Sequence, residues 1–201
     1  MKLLHVDASP RRDSVSRELT AHFTANWKKQ FPQGEVIHRD LAKSSIPLIN
    51  NDWIEGAFSN PQQHTDAHRE ALKFSEAVIL EIQAADVIVI GDPMHNFSTS
   101  GRLKAWLDQL VRAGKTFSYG AAGPKGLLSG KKVYVLTSRG GAYTPGTPYA
   151  EFDFQEPYLR RLLGFIGLTD VTFIHAENQG KPDLAAASKA AAIEKIDAAL
   201  V

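Results

Sequence analysis

One stretch, residues 87–97, most constrains what this chain can fold into. Residues 87–90 read Val-Ile-Val-Ile, and the segment 91–93, Gly-Asp-Pro, ends the run. A short run of β-branched residues that stops at Gly and Pro is typical of a buried strand ending in a sharp turn. The loop that follows consists of Met94, His95, Asn96 and Phe97, which suit a flat aromatic ligand. Because ligands of open α/β sheets bind beyond the carboxyl ends of strands, we predict a binding loop here.

The rest of the chain alternates between strand and helix patterns. Apolar runs predict strands at residues 2–6, 36–38, 86–91, 132–137 and 171–174. Apolar side chains with a helical period predict helices at about 15–29, 66–84, 103–111 and 152–166, and in the alanine-rich segment that closes the chain. Five such alternations favour a parallel sheet with helices on both faces. We therefore predict a single α/β domain over residues 1–201, a doubly wound five-stranded sheet in the flavodoxin-like order 2-1-3-4-5.

Two stretches stand outside this alternation. Residues 40–64 contain Trp53 and Phe58 between two prolines, and we expect a partly helical excursion there. Residues 114–130 contain five glycines, which predicts a loop with a small hairpin near residues 116–119.

Composition excludes several classes of function. The chain has a net charge of +1 and no cysteine. A nearly neutral chain gives no support for nucleic acid or a membrane surface as a partner. Without cysteine there is no disulfide, thiol redox centre or cysteine metal site, so any redox chemistry needs a bound cofactor. Because no apolar run approaches the ~18 residues that cross a bilayer, and the first strand leaves no room for a signal peptide, we expect a cytoplasmic protein.

The loop after the first strand is predicted to bind phosphate. Ser9, Ser14 and Ser16 surround the start of the first helix, where unpaired N–H groups and the helix dipole favour an anion. The loop has no glycine, so it is neither a dinucleotide fingerprint nor a Walker A loop. The alternative is that Ser14 only caps the helix and that Ser16 is only a first-turn residue. From these residues alone, both interpretations stay open.

A third loop, residues 138–141, follows the fourth strand with the sequence Ser-Arg-Gly-Gly. Paired glycines let backbone N–H groups approach a ligand closely, although a plain turn also explains them. In the predicted sheet the loops after strands 1, 3 and 4 are neighbours. Together they offer a phosphate site, a site for a planar ring and backbone donors, which are the parts that FMN needs. The seven histidines show no metal-ligand spacing, so we predict no metal site.

The same residues resemble those of a known family. The chain is similar to the bacterial FMN-dependent NADH azoreductases, also called NADH:quinone oxidoreductases, of the flavodoxin-like fold. The similarity runs through nearly the whole chain in order. Its most specific pieces are residues 93–97, Leu103-Lys104 with Asp108, 112–117 with Tyr119, 126–127, 138–141 and 163–167.

The resemblance implies a homodimer with one FMN per subunit and active sites at the dimer interface. The residues that it implies are Ser9, Ser14, Val15 and Ser16 for the phosphate side, Met94, His95, Asn96 and Phe97 for the isoalloxazine, and Ser138, Arg139, Gly140 and Gly141 for the other edge of that ring. Tyr119 is implied as one wall of the substrate pocket, and Phe165 of the partner subunit as another. Better-known members carry Tyr at the position of His95, so this residue either donates a proton or simply flanks the ligand.

The predicted activity is that of an NADH:quinone oxidoreductase. NADH passes a hydride to FMN and leaves, and a quinone or an aromatic azo compound then takes its place and accepts two electrons. We assign no catalytic acid. One alternative is an FMN-carrying electron shuttle without NADH activity, although a nearly neutral chain with long loops fits such a carrier poorly. Another is a phosphoacceptor domain that uses Asp7 or Asp92, which would need clustered acidic residues around Mg²⁺.

Overall fold

A parallel sheet forms the centre of the computed structural model, which describes residues 1–121 and 123–200. In chain order the elements are β1 (Lys2–Asp7), α1 (Val15–Gln30), β2 (Glu35–Asp40), α2 (Asn51–Phe58), α3 (Asp66–Ala84), β3 (Val87–Pro93), α4 (Gly101–Leu110), β4 (Phe117–Gly120), β5 (Gly123–Gly126), β6 (Lys132–Ser138), α5 (Glu156–Phe165), β7 (Asp170–Ala176) and α6 (Pro182–Ala199). The sheet order is β2-β1-β3-β6-β7, and every pairing in it is parallel. Counting these five strands alone, the order is 2-1-3-4-5, so the predicted flavodoxin-like topology is confirmed.

Alternate residues of the central strands are buried on opposite faces of the sheet. Ile88 and Ile90 pack on the face covered by α3, α4 and α5, while Val87 and Val89 pack on the face covered by α1 and α6. This two-sided burial is why strand β3 is apolar at every position from Val87 to Ile90. Burial of each such side chain is worth about 1.5–3 kcal/mol.

Gly91 brings the start of α1 against the end of β3. A Cβ atom added at Gly91 would lie 2.8 Å from Cγ2 of Thr20 and 3.0 Å from the carbonyl oxygen of Ser16, both on α1. The amide of Ala8 also donates to the carbonyl of Gly91 over 2.9 Å. The absence of a side chain at Gly91 therefore lets α1 pack closely on the end of β3, next to the phosphate loop.

The two stretches outside the alternation are partly regular. Residues 40–64 contain α2 and a 3-10 turn, Pro61–Gln63, which confirms the expected partly helical excursion. Strands β4 and β5 form an antiparallel hairpin, as expected for the glycine-rich segment. The hairpin packs directly on the residues that follow α5. The contact is so close that a Cβ atom added at Gly126 would lie 2.1 Å from the amide nitrogen of Gly167. Within residues 1–121 and 123–200, the helices are all too short or too polar to cross a membrane.

Candidate cofactor-binding site

A cavity of about 420 Å³ lies at the carboxyl ends of β1, β3 and β6. Its wall is formed by Ser9, Arg11, Asp13, Ser14, Val15, Pro93, Met94, His95, Ser138, Arg139, Gly140, Gln179 and Gly180. Each of the three predicted loops contributes to this wall, so the structure brings them together at one site. The volume is within the range of small-molecule sites.

The amino terminus of α1 is open toward an anion. Ser14 has the extended conformation of a cap residue, but its side chain makes no capping hydrogen bond to the backbone of α1, and its Oγ lies 2.9 Å from Oγ of Ser16 instead. Helices α2, α3 and α4 are different, because the cap side chains Asn50, Thr65 and Ser100 each accept a hydrogen bond from their own helix. The interpretation of Ser14 as an ordinary cap is therefore not supported, and the first N–H groups of α1 are left for a ligand.

Arg17 holds the phosphate loop from behind. Its Nη2 donates to the carbonyl of Ser9 over 2.6 Å and to Oδ1 of Asp40 over 2.6 Å. Burial works against ionisation of Asp40, but the hydrogen bond and charge of Arg17 and the hydrogen bond from the amide of Ala42 together outweigh it and lower the pKa of Asp40. The guanidinium of Arg17 is thus bound by protein groups. Arg11 also lies on the cavity wall, and the sequence did not assign it to the site.

A tight turn follows β3. The amide of His95 donates to the carbonyl of Ser98 over 2.9 Å, and the amide of Ser98 returns a bond of 3.1 Å. Asn96 and Phe97 occupy the centre of this turn with φ values of 47° and 70°. Two successive positive φ angles are typical of a type I′ turn, and non-glycine residues adopt them at a cost of about 1–3 kcal/mol each. The surrounding structure must therefore hold the turn in place.

Asp92 is the residue that anchors this turn. Its side chain is fully buried and accepts hydrogen bonds from Oγ1 of Thr99 (2.7 Å), the amide of Ser100 (3.2 Å) and Nε2 of Gln155 (2.9 Å). Burial raises the pKa of Asp92, and these hydrogen bonds oppose the rise. Because its carboxyl group is enclosed by protein, Asp92 does not suit the role of a phosphoacceptor.

The third loop presents backbone rather than side-chain donors. The guanidinium of Arg139 is buried, with Nε 3.1 Å from Oε1 of Gln155 and Nη1 3.0 Å from Oδ2 of Asp153. Arg139 can therefore line the cavity only with atoms other than Nε and Nη1. The predicted contact between Arg139 and the cofactor is limited to those atoms. The carbonyls of Gly140 and Gly141 accept bonds from the amides of Gly180 and Asn178. Among the described residues, the amides of Gly140 and Gly141 have no acceptor of their own.

Several predicted site residues lie away from the cavity wall. These are Ser16, Asn96, Phe97 and Gly141, which support or adjoin wall residues, and Tyr119 and Phe165. Tyr119 and Phe165 flank the ring of Phe117, with centroid distances from it of 5.3 Å and 4.7 Å. Phe165 lines a separate depression of about 610 Å³ together with Pro157, Arg160, Arg161 and Gly164. A single chain therefore does not bring the predicted substrate walls to the predicted cofactor site.

Sequence reasoning missed a second aromatic group beside the turn. Phe97 packs against Phe152 and Tyr143, with ring centroids 5.2 Å and 6.2 Å away, and the amide of Phe154 donates to the carbonyl of Phe97. The loop between β6 and α5 supplies these contacts. The prolines and glycine of this segment indicate a long loop. No local pattern in the sequence indicates that the loop returns to the turn after β3.

Comparison with known proteins agrees with the geometry. A family model described as the flavodoxin-like fold matches residues 1–200. A curated FMN-dependent NADH:quinone oxidoreductase from Nostoc sp. is 52% identical over 178 residues, which cover 88% of this chain and 86% of that protein. The chain belongs to the FMN-dependent NADH:quinone oxidoreductase family. The resemblance inferred from the loops is thus confirmed.

Solved structures extend the comparison within the FMN-dependent NADH:quinone oxidoreductase family and its fold. The crystal structure of an azoreductase from Bacillus anthracis matches with a TM-score of 0.92 at 32% identity, covering 99% of this chain and 98% of that one. An FMN-dependent NADH-azoreductase from the same species, solved in complex with FMN, has a TM-score of 0.87 at 23% identity and shares the fold.

Proposed function

We propose that this protein is an FMN-dependent NADH:quinone oxidoreductase that also cleaves aromatic azo compounds reductively at the same site. The relatives that carry these names support the activity. The observation that carries the proposal is the meeting of three loops at one cavity, with an open helix terminus in one loop and free backbone amides in another.

The residues present fit FMN. The uncapped start of α1, with the hydroxyls of Ser9 and Ser14 on the cavity wall, suits a phosphate monoester. Pro93, Met94 and His95 offer a wall for the planar ring. The amides of Gly140 and Gly141 suit its polar edge, because donors there stabilise negative charge.

When bound, FMN would supply the redox chemistry of the site, a transfer of two electrons from NADH to the acceptor, which also takes up two protons. The chain's own residues would bind FMN and hold it in a fixed orientation. Asp92 keeps the turn at residues 95–98 in its strained conformation, and Gln155 links Asp92 to Arg139 and so joins two of the loops. His95 is exposed beside the cavity, where it flanks the place of the substrate.

The same proposal includes a homodimer in the cytoplasm. Tyr119 is 73% exposed and Phe165 36% exposed, and neither lines the cavity of its own chain. A second subunit that brings Phe165 of the partner subunit to the cavity would complete an aromatic pocket for flat acceptors such as quinones and azo compounds.

The experiment that tests the proposal is the visible spectrum of protein loaded with FMN and desalted. We expect yellow protein that bleaches with NADH under anaerobic conditions and recovers when a benzoquinone is added. Yellow protein that NADH and NADPH both leave unchanged would favour the electron shuttle. Colourless protein would contradict the assignment of the cavity to FMN.

A further inference from the structure

Two histidines and an aspartate meet beside α1 at the edge of the sheet, away from the residues that line the cavity. Strands β1 and β2 pair with His5 opposite His38, and Asp7 lies two residues further along β1, so the three side chains share one face. Nε2 of His5 and Nε2 of His38 lie 3.2 Å and 3.0 Å from Oδ2 of Asp7. The three ligand atoms all lie within 4.8 Å of one another. Sequence spacing did not reveal this cluster, because 31 residues separate Asp7 from His38.

The two histidine–aspartate separations suit coordination of a single ion. A first-row metal with bonds of about 2.0–2.1 Å places tetrahedral ligand atoms about 3.3 Å apart, and octahedral ones slightly closer. Two imidazoles and one carboxylate are a donor set that Zn²⁺ and its neighbours in the first transition row accept. Ca²⁺ and Mg²⁺ prefer oxygen ligands, so the two imidazoles disfavour them.

The position of His5 also fits a ligand role. The residue is 93% buried, and within the part of the chain that the structure describes its Nε2 makes no well-aligned hydrogen bond, although Oδ2 of Asp7 lies 3.2 Å away. Leaving a buried polar atom unsatisfied costs about 1–3 kcal/mol. The other ring nitrogen, Nδ1, lies 3.1 Å from Oγ1 of Thr24. This is the arrangement of a metal-ligating histidine, whose second nitrogen donates to an outer partner while the first faces the ion.

The charged neighbours leave the carboxylate available. Oδ1 of Asp7 accepts from Oγ1 of Thr20 over 2.8 Å, so Oδ2 is the carboxylate oxygen that faces the two imidazoles. Arg17 lies 3.4 Å from Oδ2, but its shorter bonds go to Asp40 and to the carbonyl of Ser9. Arg17 therefore weakens the attraction for a cation without occupying its place. The side chain of His38 is 48% exposed, which gives the ion a path from solvent and leaves further positions for water.

We propose that His5, Asp7 and His38 bind one divalent first-row transition-metal ion, with Zn²⁺ as the best-suited probe. The ion would join β2, the edge strand, to β1, two residues before Ser9 and the phosphate loop. Because it binds the folded chain, it raises the free energy of unfolding by mass action.

The test is calorimetric titration of Zn²⁺ into FMN-loaded protein that has been treated with a chelator and dialysed. We expect one Zn²⁺ per chain, with affinity at least tenfold weaker in His38→Gln and in Asp7→Asn. The matched control is His22→Ala, because His22 also pairs with an aspartate, at 2.6 Å from Asp197, but has no second histidine beside it. His64→Ala tests the other histidine pair, His64 and His68, whose ring centroids are 6.0 Å apart.

Three outcomes would overturn the proposal: no binding by the wild type, equal binding by His38→Gln, or loss of binding in a control variant. If a variant fails to fold, ¹⁵N-histidine NMR of the wild type decides instead. Zn²⁺ must then shift the signals of His5 and His38 and leave those of His22 in place. Failure of this proposal leaves the FMN assignment untouched, since the loading experiment does not depend on the cluster.

Discussion

The end of the cavity assigned to phosphate is formed entirely by one chain. The aromatic residues expected to face the substrate lie outside that cavity. Ser9 and Ser14 are almost fully buried, and Arg17 fixes the loop through the carbonyl of Ser9. Tyr119 and Phe165 instead lie on an exposed cluster around Phe117, outside the cavity wall. One end is held by buried polar contacts and the other offers apolar surface.

From this difference we predict that cofactor binding and substrate handling are separable in this protein. A polar loop buried by its own chain preserves its shape whether or not a second chain is present. Exposed aromatic rings gain a defined environment only when another surface covers them. Variants at the phosphate end should therefore change FMN binding, and variants at the substrate end should change kcat/KM for the acceptor. A variant between the two ends should change both.

The largest effect is expected from Asp92→Ala, because Asp92 joins the turn after β3 to Gln155. Its loss removes the carboxylate acceptor of three donors, on Thr99, Ser100 and Gln155. Among the described residues, only Gln155 keeps a second acceptor, the backbone carbonyl of residue 92 at 3.2 Å. We expect the free energy of unfolding to fall by about 2–4 kcal/mol and FMN to bind more weakly, as measured by urea denaturation and by flavin fluorescence. Asp66→Ala, at a fully exposed aspartate, is the control. Unchanged stability and FMN binding would show that the strained turn does not need this anchor.

Ser14→Ala should sharpen the assignment of the phosphate end. The hydroxyl of Ser14 is free of the helix, and its removal takes away one hydrogen bond to a phosphate. A bond to a charged group is worth about 1.5–3 kcal/mol, so we expect FMN to bind about tenfold more weakly or worse. Riboflavin, which lacks the phosphate, should bind the variant and the wild type equally. An equal loss for both ligands would move Ser14 away from the phosphate.

Phe165→Ala probes the substrate end. Its ring packs on Phe117 and is otherwise exposed, so truncation costs little stability in the single chain. We expect kcat/KM for quinones and azo dyes to change several-fold, by different factors for the two, while FMN retention stays the same. Leu184→Ala, at an exposed apolar residue of α6, is the control. Equal losses of FMN and activity in Phe165→Ala would contradict the separation of the two ends.

Local signals predicted most of the fold, because runs of β-branched residues and helical periods depend on neighbours in the chain. The predicted helix over residues 66–84 coincides with α3, Asp66–Ala84, and the runs at 2–6 and 132–137 lie within β1 and β6. Leu184 shows the limit of such reasoning, since a large apolar residue in the alanine-rich closing helix is expected to pack on the sheet, whereas Leu184 is 47% exposed. An alanine-rich helix has a weak apolar face, so its orientation is set by the sheet rather than by its own pattern.

The site was predictable at its loops and not at its supports. The three loops could be placed together because parallel strands bring their carboxyl ends to one edge. The bond from Gln155 to Asp92 spans 63 residues, and the burial of Arg139 depends on Asp153 and Gln155 in a long loop. Contacts of this kind arise from tertiary packing, which leaves no periodic trace in the sequence.

The smallest expected effect concerns pH and the helix that carries Phe165. Glu156, in the first turn of α5, lies 2.8 Å from Nε2 of His175 and 2.5 Å from Nη2 of Arg160. The hydrogen bond with His175 is the main cause that lowers the pKa of Glu156 to about 2; burial opposes it and Arg160 assists. Because the folded-state pKa is lowered, the stabilisation is present above the unfolded value of about 4.5 and is lost as the pH falls toward 2.

Glu156→Gln should therefore be less stable than the wild type near pH 6, by about 1 kcal/mol because the pair is partly screened by solvent. The difference should shrink as the pH falls from 5 to 2. Urea denaturation at several pH values measures it, with the exposed Glu151→Gln as the control. FMN affinity should not follow this change, since Glu156 lies outside the cavity wall. A pH-independent difference would show that Glu156 stabilises α5 by packing alone, and a parallel loss of FMN would show that the substrate end supports the phosphate end after all.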